Sequence, residues 1–122
     1  MNKKIKTLFV LFFCLNVMCQ EPIEPDWKDL NYAGNEQAYH TMDIYLPKEN
    51  KKKYPVVMTI YGSAWRRNDK KGANKRKKEA LIKSGFAVVS INHRSSDDAI
   101  FPAQIHDVKA AIRFIRGNAK KY

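Results

Sequence analysis

Two short apolar runs, residues 54–61 and 86–91, constrain this chain more than any other feature. The first, Tyr54-Pro55-Val56-Val57-Met58-Thr59-Ile60-Tyr61, is almost continuously apolar and ends at Gly62. A run of that length between breakers suits a strand buried on both faces, as a parallel sheet requires. The second follows Gly85 and is rich in β-branched residues, so it reads as a second buried strand. Between them, residues 74–84 consist largely of helix formers. Ala73, Ala80 and Leu81 align there as an imperfect apolar stripe that leaves Ile82 out, and Gly85 supplies the C-terminal break. Strand, helix and strand in that order imply a βαβ unit with parallel strands and a right-handed crossover.

The flanks extend this unit. Residues 20–26, with Pro22 and Pro25, read as an extended leader. Residues 28–32 read as a short strand, and Ala33-Gly34-Asn35-Glu36 has turn composition. Residues 37–46 alternate: Met42, Ile44 and Leu46 fall on one face, and Thr41, Asp43 and Tyr45 on the other. That period marks a half-buried strand, and the two segments together form an antiparallel hairpin at a sheet edge. On the far side, Pro102 suits the first turn of a helix. Ile105, Val108, Ile112 and Ile115 then recur at helical steps, with Lys109, Arg113 and Arg116 off the stripe.

The first residues carry an address rather than a fold. Lys3, Lys4 and Lys6 precede an apolar run over residues 8–15 and a more polar end near Gln20. This is the pattern of a secretory signal peptide, here residues 1–19. The run is shorter than the roughly 20 residues a membrane span needs. The expected location is secreted or periplasmic, in a bacterium. A lipid anchor on Cys19, giving an outer-membrane lipoprotein, is the alternative. Cys14 and Cys19 both fall in or at the end of this segment, which leaves the rest of the chain without a disulfide or a Cys/His cluster. No metal or cofactor is expected.

The net charge is +11, and it falls to +8 once the three lysines of residues 1–19 are removed. Eight of the thirteen residues 66–78 are Lys or Arg. The segment reads as a solvated loop and helix face, with an anionic-surface or nucleic-acid patch as the alternative. No aromatic residues interleave with these charges as single-strand binding would want, so no nucleic-acid partner is expected. Nothing in the sequence sets an oligomeric state.

In open α/β sheets, ligands bind beyond the carboxyl ends of the strands. Two such ends are visible, Tyr61-Gly62-Ser63-Ala64-Trp65 and Asn92-His93-Arg94. Small residues directly after a buried strand let the backbone turn closely around a ligand. Their N–H groups are then free to face a developing oxyanion, and each such donor is worth about 3–4 kcal/mol when removed. Taken alone, a Gly-Ser-Ala triplet reads equally as an ordinary tight turn.

Four segments in order carry a resemblance. Met42-Asp43-Ile44-Tyr45-Leu46-Pro47 matches an L-D-[IV]-Y-x-P strand. Tyr61 to Trp65 resembles a His-Gly-Gly-Gly-Trp segment, and residues 88–94 look like a V-x-x-N-Y-R strand. Residues 101–116 are similar to an F-P-A-x-x-x-D-x-K-A-A-x-R-W-x-R helix. The set, covering about residues 37–122, resembles the secreted esterase and lipase branch of the α/β-hydrolase superfamily, in its feruloyl-esterase-like, carbohydrate-esterase subgroup.

The resemblance implies that residues 20–122 are the N-terminal, incomplete portion of an α/β-hydrolase fold: an antiparallel hairpin leading into a parallel sheet with flanking helices. It implies an oxyanion hole from the backbone N–H groups of Ser63 and Ala64, with Gly62 and Trp65 on the substrate side. Tyr61 stands where the motif has histidine, and Ser63 and Ala64 stand where it has glycines. His93 occupies the strand-end Tyr position in a packing role, and Asp107 is expected to tie its helix to a neighbouring loop.

The family's nucleophile lies on a G-x-S-x-G elbow followed by an acid and a His. The chain contains no G-x-S-x-G. Ser63, Ser84, Ser90, Ser95 and Ser96 lack the elbow context, and His40, His93 and His106 are not matched to the base. In the family fold residues 54–61 form an interior strand that pairs with one outside these 122 residues. The expected function is a fragment of a secreted carboxylic-ester hydrolase acting by acyl transfer on small-molecule or carbohydrate esters, not competent alone. The alternatives are a fragment of a prolyl-oligopeptidase-type serine peptidase and a non-catalytic basic binding module.

Overall fold

A computed structural model describes residues 23–72 and 75–122. The segment 1–19 with its two cysteines, and Ala73 of the predicted helix stripe, lie outside the described residues. Four strands, β1 (Trp27–Asn31), β2 (Thr41–Tyr45), β3 (Val56–Ile60) and β4 (Ala87–Ile91), form one sheet in the order β1-β2-β4-β3. A 3-10 turn, Ala38–His40, joins β1 to β2. Helix α1 (Lys75–Lys83) lies between β3 and β4, and α2 (Ala103–Gly117) follows β4.

The two apolar runs pair in parallel, from Val56 opposite Ala87 to Ile60 opposite Ile91. The hairpin joins them antiparallel, with Met42 opposite Ile91 and Tyr45 opposite Val88. The sheet is therefore mixed, and alternate residues of β2 and β4 sort onto its two faces. Met42, Ile44, Val89 and Ile91 pack with Ala111, Val108 and Phe114 of α2. Tyr45 and Val88 pack with Ile82 and Leu81 of α1.

Two expectations about the strands change. β3 is not buried on both faces: Val56 is 50% and Ile60 40% exposed, because among the described residues β3 pairs only with β4. β2 is not half-buried, since residues 42–45 are all buried. Its polar face is covered by two long basic side chains, Lys70 and Lys78, themselves buried.

Both helices keep only part of their predicted stripes: Leu81 of α1 and Val108 and Ile115 of α2 pack on the core. In α1 the inward residues are Lys78 and Ile82, one turn apart, while Ala80 is exposed. In α2 they are Gln104, Asp107 and Ala111, and Ile112 is 38% exposed. Asp107 is buried on Arg94 and so joins the apolar residues on the inward side of the helix.

Candidate active site

The site grows from the carboxyl end of β3. Beyond Ile60 the chain passes Tyr61 and Gly62 into a turn closed by the Arg66 N–H, which donates to the Ser63 carbonyl at 3.1 Å. Its central residues, Ala64 and Trp65, have φ of 51° and 66°. Two successive left-handed residues are the type I′ pattern that Gly and Asn usually fill. Holding other residues there costs of order 1–3 kcal/mol each, and surrounding structure has to enforce it. The Ser63 hydroxyl is spent locally: it donates to the Arg67 carbonyl at 2.8 Å and accepts from the Arg67 N–H at 2.9 Å. The N–H groups of Ser63 and Ala64 donate to no group among the described residues. A methyl group placed on Gly62 would meet nothing within 4 Å, so the space before the turn is open.

The four predicted site residues therefore sit together on one turn at a strand's carboxyl end. Trp65 is 42% exposed and borders a hollow of about 290 Å³ with Ser96, Ala99, Ile100, Phe101, Gln104 and Ile105. Its ring meets His93 edge-on, with centroids 5.2 Å apart. Its carbonyl accepts from the Ser96 N–H at 2.8 Å and the Ser96 hydroxyl at 3.2 Å. Among the described residues no serine hydroxyl is hydrogen-bonded to a histidine, so no nucleophile–base pair is formed there.

Behind the turn lies a polar brace. Asp107 accepts from the Arg94 Nη2 at 2.6 Å, the Arg94 Nε at 3.0 Å and the Arg94 backbone N–H at 2.9 Å. His40 Nε2 lies 3.2 Å from the same carboxylate. Burial pushes the Asp107 carboxyl up, but the hydrogen bonds from Arg94 and the nearby charges outweigh it and hold the group below its ordinary value. In this role Asp107 ties the helix to the strand-end loop. Asn92 completes the brace. Its carbonyl accepts from the Tyr32 hydroxyl at 2.8 Å, and its side-chain oxygen accepts from the Lys70 N–H at 2.7 Å. The sequence reading assigned roles to neither Asn92 nor Ser96. The signal for Asn92 was its place in the V-x-x-N-Y-R strand; Ser96 had none.

The basic segment is only in part a solvated face. Asp29, at a bulge in β1 with φ of 55°, and Asp43 in β2 both hold the buried Lys70 ammonium. The hydrogen bond to Lys70 lowers the Asp29 carboxyl. Lys78 lies 4.1 Å from the centre of the Tyr45 ring, and burial lowers its ammonium. Burial, with Asp43 and Glu24 nearby, pushes the Tyr45 phenol up to about 12. Two of the eight basic residues are thus internal anchors, Lys70 for the loop that follows the turn and Lys78 for α1. Among the described residues, no group of three or more His, Cys, Asp or Glu is arranged to hold a metal ion, and no helix is long and apolar enough to cross a membrane.

Comparison with known proteins agrees with this architecture. Residues 42–122 match the family model described as BD-FAE. Esterase LipQ of Mycobacterium tuberculosis (strain ATCC 25618 / H37Rv) is 35% identical over 68 residues, covering 56% of this chain and 16% of that protein. A bifunctional GH43-CE protein of Bacteroides eggerthii superposes with a TM-score of 0.76 at 58% identity, over 79% of this chain and 14% of that one. A truncated carbohydrate esterase from gut microbiota superposes with a TM-score of 0.78 at 52% identity, over 84% of this chain and 36% of that one. The chain thus spans about a sixth of the length of LipQ and about a third of the carbohydrate esterase. With its mixed sheet, flanking helices and strand-end turn, this chain belongs to the BD-FAE family of feruloyl-esterase-like α/β-hydrolases.

Proposed function

We propose that residues 20–122 supply the oxyanion-binding turn of an exported carboxylic-ester hydrolase whose substrates are acyl esters of polysaccharides. The observation that carries this is the turn after β3, whose Ser63 and Ala64 N–H groups have no partner among the described residues, beside a Gly62 whose surroundings are open. In acyl transfer a serine oxygen attacks the ester carbonyl, and the carbonyl oxygen becomes an anion. Two fixed amides stabilise that anion more than the ground-state carbonyl, and this difference lowers the barrier. The carbohydrate-esterase neighbours at 52–58% identity support the polysaccharide ester as substrate.

The attacking serine, its acid and its His have no counterpart in the described geometry, so residues 20–122 alone are proposed to be inactive. Ester hydrolysis by the full-length gene product, set beside purified residues 20–122, tests both statements. Turnover of an acylated oligosaccharide by the full-length product alone is expected; turnover of a peptide amide instead would favour the peptidase reading. N-terminal sequencing of the exported protein tests the signal segment. A mature chain starting at Gln20 is expected, and a lipid-modified Cys19 would replace simple export by anchoring.

A further inference from the structure

His93 is fully buried, and its Nε2 is the one buried side-chain nitrogen or oxygen among the described residues without a hydrogen-bond partner. A carbonyl oxygen can only accept, so the Nδ1 contact with the Arg94 carbonyl at 2.7 Å makes Nδ1 the donor. Nothing on the ring's far side repays burying a polar nitrogen, a cost of roughly 1–3 kcal/mol. What the ring does contact is Trp65, edge-on at 5.2 Å.

Trp65 is also the residue the turn holds least comfortably. It is bulky, left-handed, and adjacent to a second left-handed residue, Ala64. Within the turn a single bond, Arg66 N–H to the Ser63 carbonyl, closes it. The Ser63 hydroxyl braces it through the Arg67 N–H and carbonyl, and further restraint comes from the segment after β4: the His93 ring edge-on to the indole and the Ser96 N–H and hydroxyl on the Trp65 carbonyl. His93 is itself fixed, since the next residue, Arg94, is clamped to Asp107 by three hydrogen bonds.

We propose that His93 is a positioning residue for the oxyanion turn, acting through Trp65, with Ser96 as its partner. The ring fixes the indole and so the left-handed pair, and this aims the Ser63 and Ala64 amides. The inference rests on the ester-hydrolase reading. His93 touches no reacting atom, so its removal should weaken transition-state binding and leave substrate binding alone.

The test uses the full-length gene product with an aryl ester and the matching thionoester. Sulfur accepts amide hydrogen bonds poorly, so the oxo-to-thiono ratio of kcat reports the oxyanion hole itself. For His93→Leu, kcat on the oxoester should fall about ten- to a hundredfold, less than the full loss of a donor. KM should stay within about twofold, the sign of an interaction made only in the transition state, and the oxo-to-thiono ratio should fall with kcat. His93→Phe keeps a ring against Trp65 and should recover most of the rate. Ser90→Ala, equally buried in β4 but bonded to Thr59, should leave the ratio unchanged. If His93→Leu fails to fold, Trp65→Ala removes the other ring of the contact from a 42% exposed position and should lower both kcat and the ratio several-fold. An unchanged ratio in whichever of these two variants folds would overturn the proposal while leaving the hydrolase reading intact. A wild-type protein that hydrolyses neither ester would overturn the hydrolase reading and this proposal together.

Discussion

The two faces of the sheet are held by different physics. On the α2 face, Met42, Ile44, Val89, Ile91 and Ala111 form a continuous apolar layer, and burial alone explains it. On the α1 face the same strands present Asp43, Tyr45, Val88 and Ser90. There the layer is closed by Lys70 on two carboxylates, Lys78 over a phenol ring, and a Ser90–Thr59 hydroxyl contact of 2.9 Å. The lesson is that one strand can be buried on both sides while alternating in polarity, provided that long basic side chains arrive from elsewhere to cover the polar side. The α1 face also anchors the loop that follows the turn after β3, through Lys70.

Substitutions can break this contrast. The largest effect is expected from Lys70→Met, which leaves Asp43 buried with its charge uncompensated; about 3–5 kcal/mol of stability should be lost, measured by urea unfolding. On the other face, Ile91→Ala should cost about 3 kcal/mol by opening a cavity in a wholly buried site. A smaller effect comes from Asp107, whose folded value lies below the usual carboxylate range. The folded state then binds this proton less readily than the unfolded one. Its stabilisation is therefore present above about pH 4 and lost as pH falls through the lower folded value. Asp107→Asn should cost about 2 kcal/mol at pH 7 and remove that part of the acid limb from a pH–stability curve. The smallest effect is expected from Lys78→Met. Burial already disfavours the Lys78 ammonium, so an apolar chain over Tyr45 should change stability by less than about 1 kcal/mol, in either direction. A loss of several kcal/mol there would mean that Lys78, like Lys70, answers a charge.

Much of the fold was legible because it follows from periodicity. The hairpin, the parallel pairing of residues 56–60 with 87–91 and both helices are where the pattern put them. What stayed hidden depends on partners far apart in the chain. Nothing local marks Lys70 as the mate of Asp29 and Asp43, at separations of 41 and 27 residues, so the whole basic segment read as solvated. Apolar spacing placed Ile112 inward with Val108 and Ile115, but it is 38% exposed, while the Asp107 tie to the loop has Arg94 as a partner that no spacing named. Two apolar runs of almost the same character also differ in burial, because β4 is flanked by β2 and β3 whereas β3, among the described residues, pairs with β4 alone. For the site, small residues after a strand gave the position of the turn. The left-handed pair at Ala64 and Trp65 was not visible, because neither residue type advertises it.

The most direct measurement is a structure of the full-length gene product with an ester-mimicking phosphonate trapped on its nucleophile. The anionic phosphonyl oxygen should lie about 2.7–3.1 Å from the backbone nitrogens of both Ser63 and Ala64, the range for a working oxyanion hole. An oxygen bound by other donors, with those two amides turned to partners inside the fold, would contradict the account.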